Sequence, residues 1–412
     1  MTERLRVNEE RLWASLMDMA RIGATPKGGS RRLALTDEDK QGRELFVRWC
    51  RAAGCSITVD SMGNIFARRP GTDRNRAPVA SGSHLDTQPH GGRFDGVYGV
   101  LAALEVLRTL NDAGVETRAP LEAIVWSNEE GARFAPAMLA SGVFAGVYTS
   151  EYAMSRTDRD GRTFGAELAR IGYAGDVACG GHALEAFFEA HIEQGPILEA
   201  EGKTIGVVTG VQGLYWFDVT VTGQDSHAGS TPMERRRDAL LGAARMVAAV
   251  HDIALEQAPQ GRATVGELYV SPGSRNTIPG MVRFGVDIRH PDAAALKTMG
   301  ERLSEQCTAI GARAGLEVSV ERIDYTPPVS FDGDCIDAVE SACERLHYPH
   351  RRMQSGAGHD ACFVSMVAPT SMIFVPCADG LSHNELESAQ PDDLAAGGNV
   401  LLHALLGKAG VG

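Results

Sequence analysis

The chain has 412 residues, 43% hydrophobic and 23% charged, and its 53 acidic against 40 basic residues give a formal net charge of −13. That length exceeds one ordinary core, so two domains are expected, and the mix excludes disorder, collagen and coiled coil as the main architecture. The acidity argues against nucleic acid or an anionic membrane surface as partner, and no apolar run approaches the ~20 residues of a membrane helix. In chain order, Asn8 caps a helix reaching about Met19, with Leu12, Leu16 and Met19 on one face. Thr36, followed by Asp37, Glu38 and Asp39, opens a second helix that Gly54 ends. The segments 56–60 and 64–68 alternate about Met62-Gly63 and read as a hairpin. The charged amino-terminal segment does not read as a secretory signal. Eight scattered cysteines without a CxxC pair read as reduced, mostly buried thiols, so a cytoplasmic setting is expected.

A short strand is expected over 78–83, an apolar-striped helix over 97–113, and strands over 121–126 and 186–192. The far end repeats this texture, with a helix over 335–346, a strand over 371–375 and a helix over 391–406. Such alternation implies an α/β domain with a mostly parallel, covered sheet. Between these parts the order changes to strand 214–222, helix 231–254, strands 263–270 and 281–290, helix 291–315 and strand 316–323. That is β-α-β-β-α-β, the order of a ferredoxin-like α+β domain inserted into the α/β domain. The expected division is 1–211, 212–327 and 328–412, with the middle part inserted.

Polar residues gather in loops that follow the expected strands. They are Ser83-His84-Leu85-Asp86-Thr87, Gly91-Gly92-Arg93-Phe94-Asp95-Gly96, Asn128-Glu129-Glu130-Gly131, His191-Ile192-Glu193-Gln194-Gly195 and Gly380-Leu381-Ser382-His383-Asn384-Glu385. In α/β sheets ligands bind beyond the carboxyl ends of strands, so these loops can converge. The imidazoles of His84, His191 and His383, with the carboxylates of Asp95 and Glu130, would satisfy a pair of borderline metals such as zinc or manganese. A metal pair about 3.5–4 Å apart needs a bridging ligand, and Asp95 on its glycine-rich loop suits that place. His84 and Asp86 stand two apart, so Asp86 is expected to hold the second ring nitrogen of His84. Glu129 suits a general base. Taken singly, a His-x-Asp or a Glu-Glu pair is usually surface decoration; the combination carries the reading. His251, His347, His350 and His403 read as structural or surface residues.

Seven ordered motifs carry a resemblance. They are Gly82-Ser-His-Leu-Asp86, Gly92-Arg-Phe-Asp95-Gly96, Asn128-Glu-Glu-Gly131, His191-Ile-Glu-Gln-Gly195, Ser226-His-Ala-Gly229, Gly356-Ala-Gly-His-Asp360 and Gly380-Leu-Ser-His383. Their order resembles the hydantoinase/carbamoylase branch of the M20 metallopeptidase clan, which includes N-carbamoyl-L-amino acid hydrolases, β-ureidopropionases and allantoate amidohydrolases. The resemblance implies a mixed-sheet α/β metallohydrolase domain with an inserted ferredoxin-like lid and dimerisation domain. It implies two divalent ions, zinc first, with manganese, cobalt or nickel as alternatives. One ion takes Asp95, Glu130 and His383, and the other takes His84, Asp95 and His191. Glu129 is the implied base, with Asp86 and His227 among the catalytic set. Gln194, His227, Asn276, Arg289 and Gly358 are the implied substrate contacts.

The implied activity is hydrolysis of the ureido C–N bond of N-carbamoyl-L-amino acids or N-carbamoyl-β-alanine, giving amino acid, ammonia and carbon dioxide. An allantoate or ureidoglycolate amidohydrolase, or an aminoacylase, on the same site is the near alternative. A non-catalytic ligand-binding member is the distant one, against which the complete ligand set and Glu129 argue. The expected partners are the small substrate and a second copy through the inserted domain, with His227 reaching the partner's site.

Overall fold

The computed structural model describes residues 2–412. They form two compact units, one running to Thr209 and resuming at Phe331, the other spanning Gly210–Ser330. Strands in chain order are β1 Ser56–Val59, β2 Ile65–Arg69, β3 Val79–His84, β4 Leu121–Trp126, β5 Ala186–Ile192, β6 Ile205–Val211, β7 Gly213–Thr222, β8 Ser226–His227, β9 Arg262–Ser271, β10 Thr277–Ile278, β11 Met281–His290, β12 Glu317–Thr326, β13 Val329–Ser330, β14 His350–Ser355 and β15 Thr370–Val375.

The first unit is built on a mixed sheet in the order β1-β2-β4-β3-β5-β15-β6, with β14 also pairing β6. Its centre is parallel: β3 pairs β4, and β5 lies between β3 and β15. The flanks β1, β2 and β6 run antiparallel to their neighbours. The four central strands β4, β3, β5 and β15 are buried along their whole length, which is why they read as short apolar runs rather than alternating ones. The helix Val97–Asp112 buries Val100, Leu101, Leu104, Leu107 and Leu110, and the helix Pro391–Ala409 buries Leu394, Leu401 and Leu405. Thr36 accepts from the Asp39 N–H and starts the helix Asp37–Ala52 as its sequence suggests. The mostly parallel expectation therefore holds for the sheet centre alone. The strands β6 and β14 have no counterpart in the sequence reading, because glycine-broken Ile-Gly-Val-Val-Thr-Gly-Val and basic His-Arg-Arg-Met-Gln-Ser lack a clear period.

The second unit carries a four-stranded antiparallel sheet in the order β12-β7-β11-β9. Strand β7 alternates buried Tyr215, Phe217, Val219 and Val221 with exposed or half-exposed neighbours. The buried side packs with Phe284, Val286 and Ile288 of β11 against Met246 and Val250 of helix Ala239–Glu256 and Leu296, Met299 and Leu303 of helix Ala293–Ala314. Truncating a ring such as Phe284 here is expected to cost about 3–5 kcal/mol. The first of these helices starts eight residues later than the sequence suggests. Pro232 sits in extended backbone, residues Met233–Arg235 make one 3-10 turn, and the Asp238 carboxylate caps the N–H groups of Leu240 and Leu241. The proline marked a loop and the aspartate the true start.

Candidate active site

Parallel neighbours put their carboxyl ends at one edge of the sheet, and the candidate residues collect there. His84 ends β3, His191 is the penultimate residue of β5, and Glu129 and Glu130 follow β4 directly. Asp95 lies just ahead of helix Val97–Asp112, and His383 follows β15 by a turn. Gly96 has φ +66°, and a Cβ there would stand 2.3 Å from the His84 ring, so only glycine lets the Asp95 loop approach that imidazole.

The Asp95 carboxylate faces two ways. Its Oδ1 lies 3.2 Å from His191 Nε2 and 3.6 Å from His84 Nε2, while its Oδ2 lies 3.5 Å from His383 Nε2. His383 Nε2 is also 3.4 Å from Glu130 Oε2. Two groups of donor atoms within metal reach result, His84–Asp95–His191 and Asp95–Glu130–His383. The second ring nitrogens point at backbone carbonyls: His84 Nδ1 is 2.8 Å from the Asp86 oxygen, and His191 Nδ1 is 2.9 Å from the Ile192 oxygen. Each Nδ1 carries the proton that these acceptors require, which turns the Nε2 lone pair inward, the tautomer a metal ligand needs. A third group, Glu189–His191–His359, also lies close together. Its Glu189 already accepts from Ser83 Oγ at 2.6 Å and the Ala361 N–H at 2.9 Å, and His191 offers a single inward nitrogen. The Asp95-centred groups are the better cation cage.

Electrostatics agree. Burial pushes His84 down to about 4, favouring the neutral, ligating ring. Burial alone would raise Asp95, but His191, His84 and His383 outweigh it and hold its carboxyl well below the ordinary value. Burial opposes charge on His191 too, yet Asp95 lifts it to about 9, a sign of how strongly this carboxylate draws positive charge. Burial and then mutual repulsion with Asp95 and Asp86 push Glu130 well above the usual carboxylate range. A buried, anion-rich set of imidazoles and carboxylates is what divalent cations of zinc type neutralise, and the residues fit such ions.

Glu129 is 7% exposed, with Oε2 3.5 Å from His84 Nε2. Burial first, then Asp360 and the neighbouring acids, raise it well above the ordinary value, which favours a carboxyl that takes and gives a proton. Asp86 does a different job from the one expected. The contact to His84 is made by its carbonyl, whereas its carboxylate accepts the backbone N–H groups of Glu129 and Glu130, each at 3.2 Å. Asp86 thus fixes the turn that presents both glutamates. Asn128, with φ +59°, makes that turn sharp and ties it down through Nδ2 to the Phe134 oxygen.

Gln194, also left-handed at φ +56°, donates from Nε2 to Asp95 Oδ2 at 2.9 Å and to Ser382 Oγ at 3.0 Å. Gly358 lies exposed in the loop between β14 and the helix Asp360–Val364, beside Met138. Several supports have no role in the sequence reading. Gln88 holds both Glu130 oxygens, through its N–H at 3.0 Å and its Nε2 at 2.7 Å. His359 stacks its ring edge-on to His191 at 4.6 Å and bonds Ser355. Asp360 takes the Ser141 hydroxyl. The motif around His359 and Asp360 flagged the place but not the work done there.

The remaining candidates belong to the second unit. His227 on β8 pairs with Thr277 on β10, and the Asn276 carbonyl accepts from the Ala228 N–H at 2.9 Å, so His227 and Asn276 sit side by side. His227 Nδ1 accepts from the N–H groups of Gly229 and Ser230 at 3.0 and 3.1 Å. The ring proton is therefore on Nε2, an outward donor. Arg289, near the end of β11, makes a two-point ion pair with Asp287, both contacts at 2.9 Å. That aspartate also takes the Trp216 indole N–H.

A twisted α/β sheet whose strand ends present two metal-type donor groups around one carboxylate defines a metal-site hydrolase class. The profile of peptidase family M20/M25/M40 matches residues 80–407. The chain is similar to an N-carbamoyl-L-amino-acid amidohydrolase of Rhizobium meliloti, at 53% identity over 98% of this chain and 97% of that one. It is similar to a ureidoglycolate hydrolase of Arabidopsis thaliana at 35% identity, over 96% of this chain and 86% of that one. A hydantoinase/carbamoylase-family amidase crystal structure from Burkholderia multivorans superposes with TM-score 0.96 at 62% identity, covering 98% of each chain. The chain belongs to the metal-dependent M20/M25/M40 family, in its hydantoinase/carbamoylase branch.

Proposed function

We propose that the protein hydrolyses the ureido C–N bond of N-carbamoyl-L-amino acids. The observation that carries the reaction type is the Asp95 carboxylate shared between two donor groups, with protonatable Glu129 beside it. The substrate follows from full-length likeness to the Rhizobium meliloti enzyme. Two divalent ions fit, one on His84, Asp95 and His191, the other on Asp95, Glu130 and His383. Zinc leads, with manganese, cobalt or nickel as alternatives. When bound, the ions supply the positive charge that polarises the ureido carbonyl and steadies the developing oxyanion.

The protein's own side chains do the rest. Glu129 takes a proton from the attacking water and returns it to the leaving nitrogen. One water and one ureido group become amine, ammonia and carbon dioxide. His227, with its proton on Nε2, donates to the carbonyl oxygen. Arg289, held flat by Asp287, and Asn276 read the substrate carboxylate. Gln194 and Gly358 complete the contacts. We place His227 in the partner's site of a homodimer formed through the inserted domain, which then serves as both lid and interface; edge strands β9 and β12 offer unpaired backbone for such a contact. Among the described residues no helix is long and apolar enough to cross a membrane, and a cytoplasmic setting suits the eight free thiols.

A second reading rests on the Arabidopsis thaliana relative: a ureidoglycolate or allantoate substrate on the same site. Ammonia release from N-carbamoyl-L-amino acids, N-carbamoyl-β-alanine, allantoate and ureidoglycolate, with free-amino-acid release from N-acetyl amino acids, separates the cases. Preference for the N-carbamoyl-L-amino acids supports the first reading, and preference for allantoate or ureidoglycolate overturns it.

A further inference from the structure

Glu387 stands four residues beyond His383 and takes no part in either donor group. Its side chain is nonetheless buried, at 1% exposure. Its Oε1 accepts the backbone N–H groups of Phe94 at 2.8 Å and Asp95 at 3.2 Å, across nearly three hundred residues of sequence. Its Oε2 lies 3.3 Å from Ser382 Oγ, and that hydroxyl lies 2.8 Å from Asp95 Oδ2. A hydroxyl has one proton, and the shorter contact assigns it to Asp95. The fold makes room for this carboxylate at a definite place: a Cβ on Gly92 would fall 2.0 Å from Glu387 Cδ. The main chain at 387 is itself held, its N–H bonded to the Asn384 oxygen at 3.0 Å.

We propose that Glu387 is a positioning residue that clasps the Asp95 loop to the His383 loop and thereby sets the affinity of the Asp95–Glu130–His383 group for its ion. The two groups are supported unequally. His84 and His191 belong to adjacent buried strands, and their second nitrogens are anchored on backbone carbonyls. The His383 side chain is 52% exposed, on a loop, with φ +54° at its own residue. The clasp joins that loop to the carboxylate both groups share, beside Gln194, whose Nε2 also bridges Asp95 Oδ2 and Ser382 Oγ. Without it Asp95 still faces His84 and His191 through Oδ1, while the direction of Oδ2 toward His383 relaxes. Supporting contacts of this kind are typically worth about 10–100-fold in metal affinity.

The inference rests on the two-ion reading above, and the test keeps the two apart. Wild-type, Glu387→Ala, Glu387→Gln and Ser382→Ala proteins are stripped of metal and titrated with Zn²⁺ against a chromophoric chelator, with thermal melts with and without metal. Glutamine keeps an oxygen for the two N–H groups, so Glu387→Gln is expected to hold both ions within about threefold of wild type. Glu387→Ala is expected to keep the first ion and bind the second at least about tenfold more weakly. Ser382→Ala, a smaller change that serves if Glu387→Ala does not fold, is expected to weaken the second ion in the same selective way. Two ions bound by wild type and equally tightly by the folded alanine variants would overturn the clasp. Equal weakening of both ions would overturn it as well, by assigning Glu387 to general folding. Fewer than two ions in wild type would overturn the two-ion reading instead.

Discussion

The donor cluster of the first unit and the proposed substrate contacts of the second are built in opposite ways. His84, Asp95 and His191 are at most 4% exposed and held on several sides by backbone groups. His227 and Asn276 are exposed, and their order comes from a short loop whose own N–H and carbonyl groups are stitched together. The first arrangement keeps charge fixed in a low-dielectric place, where it acts strongly. The second leaves donors free to meet a ligand that arrives from solvent. The first region should therefore hold the fixed charge and the base of the reaction, and the second the donors that meet the substrate, His227 at its carbonyl oxygen and Arg289 and Asn276 at its carboxylate.

The sharpest break is at Glu129. Glu129→Gln keeps the shape and the Asp86 contacts of the main chain, so metal content should stay near wild type while kcat falls about 10²–10⁴-fold. Metal analysis beside steady-state rates checks this, and parallel loss of metal would move Glu129 into the ligand set. Next comes the reach of His227. Glu129→Ala and His227→Ala should each be nearly inactive alone. Random mixing makes about half the dimers heterodimers, each with one intact composite site, so recovered activity should approach roughly a quarter of wild type. No recovery in isolated heterodimer means that His227 acts within its own chain or not at all.

A smaller effect is expected at Arg289. Losing a charge-assisted two-point contact lowers kcat/KM at least about tenfold on N-carbamoyl amino acids. The loss should be much smaller on a carbamoyl amine that lacks the carboxylate, and equal losses would assign Arg289 and its Asp287 pair to the fold of β11. The smallest effect lies away from both regions. Burial alone would raise Asp158 and Glu167, but backbone N–H groups and Arg133 hold Asp158 below its ordinary value, and Arg133 with Arg170 does so for Glu167. Carboxyls lowered in this way stabilise the fold above their unfolded values, near pH 4, and the gain vanishes as pH falls through the folded ones. Arg133→Met should lower Tm by a few degrees at pH 7, with the gap to wild type closing below about pH 4.

The difference between the regions also explains what the sequence reveals. The donor groups around Asp95 were legible as candidate ligands because each follows a strand or sits on a glycine loop, where a His, Asp or Glu has little other reason to recur. Asp86 was legible as a participant but not in its work, since spacing alone does not say whether a carbonyl or a carboxylate reaches His84. Gln88 and Glu387 were invisible because their contacts join distant segments, Glu387 to Asp95 above all. In the second unit the strand and helix order was plain from periodicity. The start of helix Ala239–Glu256 was not, because Pro232 and Asp238 both resemble helix starts and only the aspartate caps one.

Everything proposed here turns on a divalent-ion pair around Asp95 that drives ureido hydrolysis. Metal-free protein titrated with Zn²⁺ or Mn²⁺, while ammonia release from an N-carbamoyl-L-amino acid is followed, tests it most directly. No turnover is expected without metal, followed by a rise that saturates at two equivalents per chain. Full turnover in protein shown to be metal-free by elemental analysis would contradict it.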